Sequence, residues 1–344
     1  MPLSITSPYT LEDNASLAGR NTLRVAARAR QLATLQDASA LPEVLDRLDT
    51  APLVLGEGSN VLFAGDHDGS VLVMATHGVD VEDTDAGTRI AVAAGERWDD
   101  FVRWSLGQGF AGLENLILIP GTVGAAPIQN IGAYGVEVAE FIEGVEAWDT
   151  REAGVVTLDH ADCAFAYRDS RFKREPDRYI VTAVRFLLPR EHALKLDYAG
   201  IRRELARMGI PRPTPYLVAE AVRTLRTRKL PDPAVIGNAG SFFKNPVVSA
   251  TRAADLQREH PGMMQWPLAD GTAKLSAAWL IEAAGFKGLR EGDAGISNRH
   301  ALVLVNHGAA SGADVLALAA QIREDIAGRY GVNLEIEPVA IGAE

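Results

Sequence analysis

A single cysteine, Cys163, stands in a chain of 344 residues, so neither an internal disulfide nor a multi-cysteine metal or iron–sulfur site is available. No apolar run reaches the roughly 18 residues of a membrane-spanning helix. Met1-Pro2-Leu3-Ser4 lacks a basic region followed by an apolar stretch, which reads as no secretory signal. These absences together lead to the expectation of a cytoplasmic protein in a reducing compartment. Histidines at 67, 77, 160, 192, 260, 300 and 307 show no H-x-x-x-H spacing, nor a comparable spacing with carboxylates, so no metal site is expected. Excess positive charge is also missing. A formal net charge of −11 argues against a nucleic-acid or anionic-membrane partner. Local clusters of Arg and Lys leave an anionic small molecule open. No exposed apolar stripe stands out, so the sequence gives no oligomeric state, and a monomer is one possibility.

What the chain does contain is the balance of a folded protein: 47% hydrophobic and 23% charged residues, at a length that suggests two or three domains. Leu41–Leu48 has helical spacing, and Ala51–Leu55, Val71–Ala75 and Arg89–Ala94 read as strands. Trp98–Gly107 reads as an amphipathic helix with Trp98, Phe101, Val102 and Leu106 on one face. Strands are expected at Ile142–Trp148 and Tyr179–Leu188, and a helix at Leu217–Lys229 that stops at Leu230-Pro231-Asp232-Pro233. Beyond that linker, helices at Ala277–Ala284 and Ala313–Arg329 surround a strand at Ala301–Val305, and the tail Val332–Ile341 is strand-like. This is an α+β chain without a βαβ rhythm, followed by a compact α/β unit.

Two glycine-rich segments carry the first chemistry. Leu53–Leu62 holds Gly56, Gly58, Ser59 and Asn60, a turn whose backbone N–H groups and polar side chains suit a phosphate. It is not the dinucleotide fingerprint, because Val61 stands at the third glycine position, and a plain hairpin turn is an equal reading of this segment alone. Ile119–Gly135 interleaves Gly121, Gly124, Gly132 and Gly135 with small and polar residues in a hydrophobic frame. That mixture suits contact with an aromatic ring system and a pyrophosphate better than it suits a solvent loop.

Three further segments are candidates. Tyr167-Arg168-Asp169-Ser170 places an arginine among polar neighbours, though alone it reads as surface. Gly237–Pro246 packs Ser241, Phe242, Phe243, Lys244 and Asn245 behind two glycines. It lacks the G-x-S-x-G elbow of hydrolases, so a hydrolytic nucleophile is poorly supported, whereas a serine hydroxyl positioned by Lys244 or Asn245 could move a proton. Leu334-Glu335-Ile336-Glu337-Pro338 alternates carboxylates with apolar residues and by itself reads as a solvated edge strand.

In order, the segments G-E-G-S-N, P-G-x-x-G-x-x-P-I-Q-N-I-G-A-Y-G, Y-R-D-S, K-L-P-D-P, G-N-A-G-S-F-F-K-N-P and L-E-x-E strongly resemble the UDP-N-acetylenolpyruvoylglucosamine reductases. The resemblance runs from about Asn21-Thr22 to Gly342, and it extends to the longer branch of the family with a substrate-closing tyrosine loop. It implies an α+β fold: a two-lobed FAD-binding region of the vanillyl-alcohol-oxidase/PCMH type plus a C-terminal α/β substrate domain. The implied parts are a first lobe at 1–78, a second at 79–230 to which the tail 331–344 returns, and a substrate-binding domain at 231–330. Non-covalent FAD is implied as cofactor and NADPH as co-substrate. FAD contacts would come from Gly56, Gly58, Ser59, Asn60, Gly121, Gly124, Ala125, Ala126, Ile128, Ile131 and Gly132. Ala125-Ala126 replaces hydroxyl residues of some members, so backbone N–H groups are expected to do more of the binding there.

The resemblance also implies a reaction. Hydride passes from flavin N5 to the enolpyruvyl methylene carbon of UDP-N-acetylglucosamine enolpyruvate, giving UDP-N-acetylmuramate for peptidoglycan. By the match, Ser241 donates the proton, and Arg168 and Glu337 stabilise the enolate-like charge, a protonated Glu337 being one way to do so. Substrate contacts are implied for Tyr134, Tyr198, Lys229, Asn245, Trp266, Lys274 and His300, with Trp266 standing where some relatives have tyrosine. Two other readings remain: an oxidase of the same flavin fold, and a non-catalytic nucleotide-sugar or flavin sensor. Leu53–Leu62 and Ile119–Gly135 contain no His or Cys, which weighs against covalently attached flavin.

Overall fold

Ile142–Asp149 and Tyr179–Leu188 alternate buried and partly exposed residues and pair antiparallel, with register shifts at Ile142/Gly144 and Glu146/Ala147. They lie inside a five-stranded antiparallel sheet ordered Gly154–Asp159, Ile142–Asp149, Tyr179–Leu188, Gly87–Ala93, Val79–Thr84. The helix Trp98–Gly107 buries Trp98, Phe101, Val102 and Leu106, the face expected from their spacing. Phe101 meets Phe186 of the sheet at a ring separation of 5.0 Å, and Trp98 lies 6.1 Å from the same ring. A second sheet runs Tyr9–Ser16, Arg28–Leu35, His67–Met74, Leu53–Leu55, the last two strands parallel.

This computed structural model describes residues 7–198 and 200–342. Met1-Pro2-Leu3-Ser4, read above for a leader, and Ala199 beside Tyr198 lie outside the described residues. The chain forms two units: Met1–Ala15, Ala29–Glu57 and Asp68–Arg226 in one, Ser16–Arg28, Gly58–His67 and Thr227–Glu344 in the other. The sequence boundaries were drawn instead at 78, 230 and 330. Pro215–Lys229 is a helix, so the linker begins where expected, at Leu230.

In the second unit, Gly237–Asn238, Leu304–Asn306, Ala294–Ile296 and Arg290–Glu291 form a four-stranded sheet. Val247–Ser249, Thr272–Leu275 and Gln265–Pro267 form a three-stranded one. Gly312–Tyr330 is a helix opened by a Ser311/Asp314 capping box and closed by Gly331 in the left-handed region, φ 58°. The strand expected at Ala301–Val305 starts three residues late, at Leu304, because His300–Val303 forms a turn in which Val303 N–H donates to His300 O at 3.1 Å. The tail departs from expectation. Val339–Ile341 runs parallel to Val61–Phe63, inside the span assigned to the first lobe, whereas a return to the second was expected. The edge of Val61–Phe63 accepts the tail because Asn60 O takes the Val339 N–H at 2.9 Å and sets the register. Among the described residues no helix is long and apolar enough to cross a membrane.

Candidate active site

In the first unit the two glycine segments meet. A Cβ on Gly56 would lie 2.3 Å from Thr122 Oγ1, so glycine is what lets the turn touch the second segment. Glu57 closes the contact: one carboxylate oxygen accepts Gly121 N–H at 2.8 Å, and the other pairs with Arg97 Nε at 2.6 Å. Beyond Thr122 the chain makes a short 3-10 turn over Val123–Ala125. Here one expectation changes. Gly124 N–H donates to Ala94 O, Ala125 N–H to Thr122 O and Ala126 N–H to Val123 O, so these N–H groups are engaged within the protein. Gly124 packs against Ala94: a Cβ there would sit 2.5 Å from Ala94 Cβ.

The same segment ends in a hairpin, Gly132–Ala133 against Val136–Glu137, turned by Tyr134 and Gly135 with φ of 51° and 82°. Positive φ at both corner residues is the pattern of a type I′ turn. Arg168 is clamped onto this segment. It sits at φ 53° in a turn closed by Ala166 and Asp169, and its Nη2 donates to Gly132 O at 2.9 Å. Ser170 Oγ donates to Ile128 O at 2.5 Å, and buried Asn130 donates to Ala166 O at 3.1 Å. Ile131 N–H is held by Ala126 O at 3.1 Å. Tyr134 and Tyr198 meet edge to face, centroids 5.2 Å apart.

Arg226 was not singled out by the sequence. Its residue is half-buried, but its Nε is fully enclosed and has no hydrogen-bond partner. Burial lowers its pKa; Tyr134 and Asp99 act against that shift, and Arg168 adds to it. The Tyr134 hydroxyl is pushed up, chiefly by burial, while Arg226 pulls it down. Two guanidinium groups and a partly buried phenol therefore share one locale, and the enclosed Nε of Arg226 is a donor suited to an anion.

In the second unit, Gly58 turns at φ 64°, and a Cβ there would fall 2.0 Å from Arg20 O. Ser59 and Asn60 follow, half-buried. Ser241 follows Gly240, φ 69°, whose N–H is held by Asn238 Oδ1 at 3.0 Å. Phe242 N–H donates to Leu302 O at 2.7 Å, and Glu337 N–H donates to Phe242 O at 2.9 Å. Phe243 pairs with Ile336 in an antiparallel bridge. The serine segment and the Glu337 segment thus run side by side.

Lys244 is ion-paired with Glu335, and Asn245 Oδ1 accepts Ala277 N–H at 3.0 Å. Lys274 is the cross-strand partner of both Trp266 and Val247, which lines up an indole, an ammonium and an isopropyl group in one row. His300 is pushed down by burial and then by Lys229 and Lys287, and Leu302 N–H donates to its Nδ1 at 3.3 Å. Accepting that N–H leaves Nδ1 as an acceptor, which places the ring proton on Nε2. Buried Asn238 and Asn306, which tie this unit together, escaped the sequence reading because each looked like one polar residue in a turn.

The residues present fit FAD. In the first unit, the Thr122 hydroxyl, small side chains at 124–126 and 132, and an acid at Glu57 already answered by Arg97 suit an anionic phosphate group beside a flat ring. Among the described residues no group of three or more metal-type side chains occurs.

Comparison with known proteins agrees with that donor set. Residues 26–159 match the FAD binding domain family, and residues 232–341 match the C-terminal domain of UDP-N-acetylenolpyruvoylglucosamine reductase. The chain is 53% identical to the UDP-N-acetylenolpyruvoylglucosamine reductase of Xanthomonas campestris pv. campestris strain 8004, over 99% of each chain. It is 51% identical to that of Xylella fastidiosa strain M12, over 98% of each. The crystal structure of the corresponding reductase from Thermus caldophilus superposes with a TM-score of 0.65 at 27% identity, covering 96% of this chain and 98% of that one.

Proposed function

The chain belongs to the UDP-N-acetylenolpyruvoylglucosamine reductase family, and we propose that Ser241, Arg168 and Glu337 carry its chemistry. It is an FAD-dependent oxidoreductase of peptidoglycan precursor synthesis that uses NADPH to reduce UDP-N-acetylglucosamine enolpyruvate to UDP-N-acetylmuramate. When bound, FAD supplies a hydride carrier, loaded from NADPH and discharged at the enolpyruvyl methylene carbon. The new C–H bond pushes an electron pair onto the adjacent carbon and its carboxylate. Ser241 Oγ–H gives that carbon its proton, and solvent restores the hydroxyl. Arg168 and Glu337 stabilise the transient negative charge. Arg226, with its enclosed Nε, receives the substrate carboxylate. Tyr134, Tyr198, Lys229, Asn245, Trp266, Lys274 and His300 hold the sugar nucleotide. Trp266 offers a stacking face for uracil and Lys274 a charge for phosphate.

The observation that supports the roles best is the adjacency of the Ser241 and Glu337 segments, tied at Phe242 O and at Phe243–Ile336. The FAD contacts are assigned to Gly56, Gly58, Ser59, Asn60, Gly121, Gly124, Ala125, Ala126, Ile128, Ile131 and Gly132. We assign the protein to the cytoplasm as a monomer, with neither nucleic acid nor membrane as partner. Purified protein should be yellow and should oxidise NADPH only when the enolpyruvyl sugar nucleotide is present. Protein that stays colourless in added FAD contradicts the proposal, fast turnover with oxygen points to an oxidase, and flavin binding without turnover points to a sensor.

A further inference from the structure

Glu114–Leu116 is a single 3-10 turn whose three residues are all buried. Its C-terminal end is fixed to the start of the helix Trp98–Gly107: Trp98 Nε1 donates to Leu116 O at 2.9 Å, and Leu118 N–H donates to Asp99 Oδ1 at 2.6 Å. From this anchored turn one side chain ties two distant stretches. Asn115 Nδ2 donates to Tyr134 O at 2.9 Å and to Lys195 O at 3.0 Å, which engages both amide hydrogens. Glu114 holds the second stretch a little earlier. Its Oε1 approaches His192 Nε2 at 3.1 Å, a short contact without aligned hydrogen-bond geometry, while its Oε2 accepts Gly112 N–H at 2.7 Å.

Residues 192–197 have no regular secondary structure. The tether at Lys195 therefore decides where Tyr198, three residues on, can lie. Tyr198 rests against Tyr134, whose own carbonyl is the other acceptor of Asn115. One buried amide thus spans the backbones beneath both rings. Neither carbonyl can shift without stranding a buried donor, which makes the linkage stiff.

We propose that Asn115 is a positioning residue of the sugar-nucleotide site: it sets the spacing of Tyr134 and Tyr198, and so substrate affinity, without touching substrate. This rests on the reading that those two tyrosines contact the sugar nucleotide. A core amide that merely knits the loop is the competing account, and the two differ in what a substitution disturbs.

Asn115→Asp keeps the shape and removes both donated hydrogens; Asn115→Ser is the second variant, should the aspartate fold poorly. In FAD-loaded enzyme, KM for the enolpyruvyl sugar nucleotide should rise about tenfold. kcat should stay within about twofold, and the flavin spectrum and the rate of flavin reduction by NADPH should not change. Tyr198→Ala should also raise KM, and Asn115→Asp should then add less than it does alone, because the two act on one element. A Tyr198→Ala enzyme with ordinary KM removes the underlying reading of the tyrosines. If Tyr198→Ala raises KM but Asn115→Asp and Asn115→Ser leave it unchanged, or multiply it independently, the positioning role is overturned. Parallel loss of flavin, kcat and KM in both variants overturns it as well, in favour of the structural account.

Discussion

Replacing Glu57 by alanine separates the two glycine segments at the point where the first unit joins them. Gly121 N–H loses its acceptor, and a partly buried amide left unpaired costs about 1–3 kcal/mol. The Arg97 pair adds less. Arg97 is 65% exposed, so that interaction contributes about 0.2–1 kcal/mol and weakens with salt. Together these give about 2 kcal/mol for Glu57→Ala. Glu57→Gln keeps an acceptor for Gly121 and should lose only about 0.5 kcal/mol. If the second segment must hold its shape before the cofactor arrives, the alanine variant should bind FAD some 10- to 30-fold more weakly by flavin-fluorescence titration. The glutamine variant should lie near wild type, and its small deficit should vanish in high salt. Wild-type flavin affinity together with a wild-type melting temperature in Glu57→Ala refutes the idea that this carboxylate organises the cofactor segment.

Arg226→Met should split function from stability. KM for the enolpyruvyl substrate should rise about 10- to 100-fold, as expected for one lost charge-assisted hydrogen bond. The melting temperature should hold or rise, because removing a poorly partnered buried charge relieves desolvation. Cys163 is enclosed, and burial, followed by Asp159 and Asp162, pushes its thiol up to about 12. A thiol-specific disulfide reagent at pH 8 should leave it unmodified until the protein is unfolded. Because the folded value lies above the unfolded one, the thiol's contribution to stability is complete below about pH 9 and declines as pH approaches 12.

The parts of the fold legible in the sequence were those with strong periodicity. Trp98–Gly107 showed an apolar face at helical spacing, and Tyr179–Leu188 a run rich in β-branched and aromatic residues; both formed over the expected residues. The tail was legible as a strand, but its partner was not. Pairing with Val61–Phe63 is decided by one carbonyl, Asn60 O, and local pattern carries no information about a neighbour more than 270 residues away.

The candidate site divides in the same way. Glycines at 56, 58 and 240 announced special backbone, and the structure shows a close approach or a left-handed turn at each. Arg168 sits at positive φ without being glycine, a strain that no residue-type rule flags. Arg226 and Asn115 were invisible for a different reason: each looks ordinary on its helix or turn, and only burial in the folded chain gives it meaning. Lys244 is the converse. It looked poised to assist Ser241, and the structure engages it with Glu335 instead.

The assignment of Ser241 as proton donor is tested most directly by anaerobic rapid mixing of Ser241→Ala in two separate half-reactions. NADPH should reduce the bound flavin at the wild-type rate. Reoxidation of that flavin by the enolpyruvyl sugar nucleotide should slow by at least about a hundredfold, the usual size of a lost general acid. Equal slowing of both half-reactions, or wild-type speed in the second, contradicts the assignment.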